Sequence, residues 1–444
     1  MIATTFADGL LDRRSWRHVT IGEICTKPQY GWTTKATTVG TNVRLLRTTD
    51  ITSGSIDWDT VPRCSEEPPD VSRYLLSAGD IVISRAGSVG VSHLVTTVQP
   101  SVFASYLIRF RPGPDVLPKY LACFLQSAAY WKQIEDNTAG IAIPNVNASK
   151  LQDVRLPLAP LDEQHRIVAE IEKQFSRLDE AVANLRRVKA NLNRYANGVL
   201  TVALCNTLRQ GADHADLNRP TSADPDQAHP EMAPAIVLPV GWHWQTAADV
   251  CEVVASGSTP KPSEMNAGSG DVPFIKVYNL TFDGSLDFTI KPTFISRQIH
   301  TGQLARSRCL PGDVLVNIVG PPLGKVSIVP DDYPEWNINQ AVVTFRAGSK
   351  IVNRLLAYWL MSPPVQERIE KTSKATAGQF NVQVTTCRKL VLPVPPLLEQ
   401  RRIVAEVDRR LSIVREVEAE VDANLMRAQV LRQAVLGAAF SSGS

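Results

Sequence analysis

The sequence lacks most of the features that announce chemistry. Its seven cysteines are scattered without one C-x-x-C pair, which argues against a zinc ribbon or a disulfide framework and fits free thiols in a reducing cytosol. Its seven histidines stand apart, with no H-E-x-x-H pair to hold a metal. No G-x-x-x-x-G-K-[ST] phosphate loop occurs, so ATP hydrolysis by this chain is not expected. An N-P-P-Y motif is missing as well: Gly320-Pro321-Pro322 lacks the amide that would position a target amino group. Pro330-Asp331 is followed by Glu335-Trp336-Asn337, without the lysine that a PD…E-x-K nuclease site requires. Catalysis, metal binding and cofactor binding are therefore not expected of these residues.

Long apolar runs are also lacking. No uninterrupted stretch approaches membrane-spanning length, and MIATTFADGLLDRRSW has no basic segment leading into an apolar one. A soluble, cytoplasmic protein without membrane contact is expected. Charge of one sign is not in excess either: the net charge is +3, compatible with a nucleic-acid partner only where the basic residues cluster. What is present is 44% hydrophobic residues over 444 positions, enough for real cores in two or three domains.

The chain repeats itself. LPLAPLDEQHRIVAE, from Leu156 to Glu170, recurs as LPVPPLLEQRRIVAE from Leu392 to Glu406. Upstream, WRHVTIGEIC from Trp16 answers WHWQTAADVC from Trp242, and LSAGDIVISRAGSVG from Leu76 answers LPGDVLVNIVGPPLG from Leu310. FRPG at Phe110 matches FRAG at Phe345, and Asn145-Val146 matches Asn381-Val382. A tandem duplication follows, each half a variable body with a near-constant tail.

Bodies and tails differ in kind. The bodies are rich in Thr, Val, Ile, Gly and Pro, and the runs Ile81-Val82-Ile83 and Val314-Leu315-Val316 follow Gly-Asp turns and predict strands. Tyr120 to Ile134 and Leu355 to Ile369 carry helical spacing. Each tail is a heptad-like seam. In the first, Val168, Ile171, Phe175, Leu178, Val182, Leu185, Leu192, Ala196 and Val199 alternate steps of three and four, broken at Lys189. In the second, Val404, Val407, Leu411, Val414, Val421, Leu425, Ala428 and Val435 do the same, broken at Glu418 and Arg432. A tail of about 40 residues makes a rod of roughly 60 Å. The fold class expected is α+β with internal duplication: two mostly β domains separated by two long helices in an antiparallel coiled coil. The boundaries expected are a first domain over 1–155, a helix over 156–205, a linker rich in Asp, Ala, Pro and Asn over 206–237, a second domain over 238–391 and a helix over 392–444.

Trp16/Trp242, Gly79-Asp80/Gly312-Asp313, Gly87/Gly320, LPVGW at Leu238 and the pair PLDEQHRIVAE/PLLEQRRIVAE together resemble the specificity subunits of Type I restriction-modification systems, over essentially the whole chain. The resemblance implies two target-recognition domains, each reading half of a bipartite double-stranded DNA site. It also implies that the helices space them and dock two modification (methyltransferase) subunits, to which restriction (ATP-driven nuclease) subunits add. The S-adenosylmethionine and ATP chemistry would then belong to those partners, with no cofactor in this chain. A stand-alone DNA-binding regulator and a coiled-coil scaffold without DNA are the alternatives.

Base edges and phosphates are met by basic, amide and hydroxyl side chains. In the first body Lys35, Arg47, Ser84, Arg85, Ser88, Tyr106 and Asn145 offer these, with Arg85 the foremost. In the second, Lys261, Lys276, Asn279, Asn317, Lys325, Gln340 and Asn381 do, led by Lys276 with Asn279. A solvated residue or turn former is the competing reading for each. Asn145 and Asn381 recur in both halves and so fit fold or backbone contact, and Trp16 and Trp242 fit packing. Gln164, Arg166, Gln400 and Arg402 are the expected partner contacts, and Glu163 and Glu399 favour the positive helix ends or meet a partner.

The seam breaks define a register. With Val182 opposite Leu425 in an antiparallel pair, Lys189 falls opposite Glu418, and two misplaced charges become one ion pair that fixes alignment. Reversing either charge alone should lower the melting temperature, and swapping both should restore it. A double swap that restores nothing rejects this register.

Overall fold

The computed structural model describes residues 15–52, 54–96, 99–138, 145–213, 238–376 and 379–440. The chain divides into two compact units. One takes in the chain up to Arg187 together with Val421 onward, and the other is Val188–Glu420. Two long helices, Leu161–Asp213 and Leu397–Phe440, contribute a part to each unit.

In the first unit an antiparallel sheet runs in the order Gln29–Tyr30, Leu107–Phe110, Ile81–Ser84 and Ser92–Leu94. A second sheet orders Ala36–Thr37, Arg63–Cys64, Arg44–Leu46 and Ser101–Phe103, the last pair parallel. Successive side chains on a strand point to opposite faces, and here both faces are covered. Ile81 and Ile83 enter the core beneath the helices, while Val82 enters a second core with Leu107, Phe103 and Leu46. That is why the strand after Gly79-Asp80 reads as a continuous apolar run rather than an alternation. Arg17–Thr20 pairs antiparallel with Arg155–Leu158 and ties the start of the body to its end.

The second unit repeats this plan. Cys251–Ser256, Val342–Ala347, Val314–Asn317 and Val326–Ile328 form the matching sheet. Val314 and Val316 again face one core and Leu315 the other. The second sheet has grown to Met265–Ala267, Thr293–Ile295, Val272–Ile275, Trp336–Ile338 and Arg308–Cys309. His243–Thr246 pairs with Val391–Val394 in the closing ribbon. This unit also carries a small sheet of Val319–Gly320, Gln379–Asn381 and Lys374–Thr376.

Several expected boundaries move. Residues 156–158 and 392–394 are strand, paired in the closing ribbons, so the helices begin only after Pro160 and Pro396, at Leu161 and Leu397. The first helix extends to Asp213, since no proline intervenes and the first glycine after Cys205 is Gly211. The rest of the expected linker, up to residue 237, lies outside the described residues. Each single helix expected in the bodies is two: Pro118–Phe124 with Ala128–Thr138, and Asn353–Met361 with Pro363–Thr372. In the second pair Pro363 stands in the first turn, where its missing N–H costs nothing.

Within the first unit the ends of the two helices run antiparallel and share the body's core. Ile167, Val168, Ile171 and Phe175 cluster with Val435, Leu436, Ala439 and Phe440. Arg432, an unexplained break in the seam, lies over the Phe175 ring at 4.1 Å and pairs with Asp179 at 2.7 Å. Its charge is thus carried outward while its fork covers an apolar ring. Within the second unit Ala196, Val199 and Leu200 pack with Val407, Leu411 and Tyr358. Phe440 is buried edge-on against Tyr120 and Phe124, with centroids at 5.2 and 5.5 Å. Phe440→Ala should destabilise the first unit by about 3–5 kcal/mol, seen as a lower melting temperature; an unchanged melt would show that this helix end is not part of its core.

Candidate nucleic-acid interface

The repeated motifs fit together as two sets of internal contacts. The first joins the Gly-Asp turn to the Phe-Arg strand. Asp80 is buried, accepts the Ser77 N–H at 2.9 Å and takes Arg111 Nε at 3.0 Å, with Arg109 at 3.8 Å. Asp313 likewise accepts the Leu310 N–H at 2.8 Å and holds Arg346 by Nε at 2.9 Å and by a terminal nitrogen at 2.7 Å. The bond to Asp313 raises the pKa of the Arg346 guanidinium. Gly79 and Gly312, at φ of +92° and +88°, turn the chain so that each aspartate faces inward. These carboxylates are structural acids.

The second set joins each body to its long helix. The Trp16 indole N–H donates to Glu163 at 2.9 Å and that of Trp242 to Glu399 at 3.0 Å. Gln164 is fully buried; its carbonyl oxygen accepts the Leu117 N–H at 2.8 Å, and its amide donates to the Asp115 and Ala159 carbonyls at 2.9 and 2.8 Å. Gln400 does the same with Val352, Lys350 and Pro395, each at 2.8 Å. Gln164 and Gln400 are therefore corrected: as interior amides with both ends bonded, they staple the helix start to the loop before the body's helix and present nothing to a partner. Arg166 and Arg402 are exposed. Lys119 pairs with Glu172 at 2.6 Å and Arg354 with Asp408 at 2.7 Å, completing the same junction in each half. The sequence repeat held a signal for the Trp–Glu bonds, since both partners recur together.

The candidate DNA contacts fall into three groups. Lys35, Ser88, Tyr106, Asn145, Lys261, Gln340 and Asn381 are exposed. Arg47, Arg85, Lys276 and Lys325 are half-buried and partly engaged. Arg47 forms an ion pair with Asp50 at 2.7 Å, the Lys276 N–H bonds Asn279 at 2.9 Å, and Lys325 Nζ donates to the Val277 carbonyl at 3.3 Å. Arg85 lies over the Tyr30 ring at 5.2 Å. Ser84, Asn279 and Asn317 are corrected, because all three are buried with their polar atoms spent on loops. Ser84 donates to the Ser88 carbonyl at 2.6 Å; Asn279 to those of Asp287 and Ile290 at 3.1 and 2.8 Å; Asn317 to that of Pro322 at 2.8 Å. Two exposed aromatics outside the sequence-predicted set lie beside cations: Tyr30, next to Arg85, and Phe282, next to Lys325. Nothing in their local spacing marks them; only the fold brings each to its cation.

The family of the Type I restriction modification DNA specificity domain matches residues 13–193 and again 239–421. The chain belongs to this family. It is 25% identical over 404 residues to the EcoBI specificity subunit of Escherichia coli, covering 90% of this chain and 79% of that one. It is 21% identical to the StySPI specificity subunit of Salmonella potsdam, covering 89% and 81%. Its fold resembles a chain from a study of complex assembly and conformational transition of the type I R-M system, with a TM-score of 0.65 at 20% identity over 96% of this chain and 98% of that one.

In this specificity-domain protein the E-Q of each repeat works at the joint between body and helix. Cys25, Cys64, Cys123, Cys251, Cys309 and Cys387 are free thiols, and burial pushes Cys25, Cys251 and Cys309 up to about 12, which leaves them protonated and unreactive at neutral pH. Among the described residues no helix is long and apolar enough to cross a membrane. Trp16→Phe keeps an aromatic side chain, smaller than the indole, and removes the indole N–H. It should cost about 1–3 kcal/mol by leaving the buried Glu163 short of a donor, read from the midpoint of a denaturant melt. An unchanged midpoint would make the Trp16–Glu163 bond incidental.

Proposed function

We propose that this chain is the DNA-specificity subunit of a Type I restriction-modification complex. Each body reads one half of an asymmetric split site, and the long helices set the spacing between halves and dock two modification subunits. Restriction subunits join that assembly in the cytosol. The observation that carries this reading is one scaffold built twice from the same internal bonds but dressed with different exposed side chains. A protein with two readers of one plan and unlike surfaces reads two unlike half-sites. Two readers on one face of DNA sit about one helical turn apart, ~34 Å, and the base pairs between them go unread.

Catalysis belongs to the partners, which bring S-adenosylmethionine and ATP; this chain needs no cofactor. Its inward-bonded carboxylates support that division, since Asp80, Asp313, Glu163 and Glu399 each serve a bond inside the fold. Arg166 and Arg402, exposed in the second turns of the long helices, are offered to the modification subunits. Lys189 and Glu418, both half-buried, form the register pair. The position of Arg432 over Phe175, one heptad from Val182 and Leu425, supports that register. The exposed contacts Lys35, Ser88, Tyr106, Asn145, Lys261, Gln340 and Asn381 meet phosphates and base edges, together with Arg47, Lys276 and Lys325.

Co-expression with a modification subunit and mapping of methylated adenines should give a split, asymmetric motif. Exchanging body 16–155 for that of a relative should change one half of it only. If no modification subunit co-purifies while the chain alone binds a defined site, the stand-alone binder replaces this reading.

A further inference from the structure

Where two frames are duplicated bond for bond, the exposed side chains that differ between them are the ones able to read different bases. The frame around Arg85 is of this kind. The Gly31 N–H donates to the Leu107 carbonyl at 3.1 Å, as that of Gly257 does to Val342 at 3.1 Å. The Arg85 N–H donates to the Tyr106 carbonyl at 2.9 Å, and the Arg85 carbonyl accepts the Val146 N–H at 3.0 Å. At the corresponding place the Ile318 N–H donates to the Ala341 carbonyl at 2.8 Å, and the Ile318 carbonyl accepts the Val382 N–H at 2.9 Å. Ala86 bridges to Asn145 as Val319 pairs with Asn381. Tyr30 pairs with Ile108 where Ser256 pairs with Val343. So the backbone positions correspond one for one, while Tyr30, Arg85 and Tyr106 stand where Ser256, Ile318 and Ala341 stand.

In the first-body trio two exposed tyrosines flank a half-buried arginine. Tyr30 is 40% exposed and Tyr106 60%, whereas Ile318 is 5% exposed. The Tyr30 ring carries the Arg85 guanidinium at 5.2 Å, and the Tyr30 hydroxyl accepts the Ala148 N–H at 3.0 Å. The ring is therefore pinned and the arginine stacks on it. Three arginines of this body are committed to carboxylates: Arg47 to Asp50, Arg109 and Arg111 to Asp80. Arg85 has no ion pair among the described residues, and its Nε has no hydrogen-bond partner there. Nε itself is buried, so the terminal nitrogens of this ring-held guanidinium, a fork not claimed by a carboxylate among the described residues, are the donors left for a ligand. In the major groove guanine presents O6 and N7 side by side, which that fork matches.

We infer that Arg85, oriented by Tyr30, is a specificity-determining residue that reads a guanine in the half-site of the first body, and that the second body reads no base through the corresponding Ile318. This rests on the DNA-specificity function proposed above. Tyr30 is a positioning residue, acting through Arg85.

The test is methylated-motif mapping of the full complex with its modification subunits, for wild type, Arg85→Ala, Arg85→Lys, Tyr30→Ala and Tyr30→Phe. The wild-type motif should contain a guanine in the half that follows exchange of the first body. Arg85→Ala should relax the preference for that one base by about tenfold or more, with the other half unchanged. Arg85→Lys keeps the charge but not the fork and should relax it too, which covers an alanine variant that does not fold. Tyr30→Ala should relax the same position more weakly, and Tyr30→Phe, which keeps the ring, should retain it. An unchanged motif in both arginine variants overturns this inference alone. So does a uniform loss over all sequences, which marks a phosphate contact. A wild-type complex with no split motif overturns the proposed function and this inference with it.

Discussion

Two buried glutamine side chains carry the joint on which the rest of the molecule depends. Each belongs to the first turn of a long helix, and each spends its amide on two carbonyls and its carbonyl on one N–H of the body behind it. A buried amide with three good bonds is stable only in one geometry, because any rotation leaves a polar atom unpaired at a cost of about 1–3 kcal/mol. Body and helix therefore meet at a fixed angle. The neighbouring glutamate takes the indole of the body's opening tryptophan and the ion pairs Lys119–Glu172 and Arg354–Asp408 close the outer edge. A reader that must address bases at a set distance needs such a joint more than it needs a strong core.

That arrangement explains why some parts of the chain repeat and others do not. Several repeated residues have side chains that bond inside the unit: Asp80 and Asp313 with their arginines, Glu163 and Glu399 with their tryptophans. Positions that bond only through the backbone, such as Arg85 and Ile318, keep the frame whatever side chain they carry. At such positions divergence leaves the frame undisturbed.

The duplication, the two β-rich bodies and the paired helices were legible because each rests on periodicity or on self-similarity, which a single sequence displays. Boundaries were less so. Leu156-Pro157-Leu158 belongs to the repeated segment and looks like a run into the helix, yet its strand partner lies at Arg17–Thr20, far away in the chain. The site was read in part. Donor chemistry alone selects Ser84, Asn279 and Asn317, and burial overrides donor chemistry. Gln164 and Gln400 depart from expectation for a related reason: a polar residue in a first helical turn looks solvated until the loop that covers it is known. Tyr30 was invisible because its partner is distant in sequence.

The glutamine joint has a further consequence in the response to salt. Contacts with phosphates weaken steeply as ionic strength rises, and exposed ion pairs such as Lys119–Glu172 weaken with them. A buried neutral amide has no net charge for salt to screen and no proton to lose near neutral pH. Raising the salt should thus release nucleic acid while leaving each body set on its helix, so that the freed protein is already shaped for its next site.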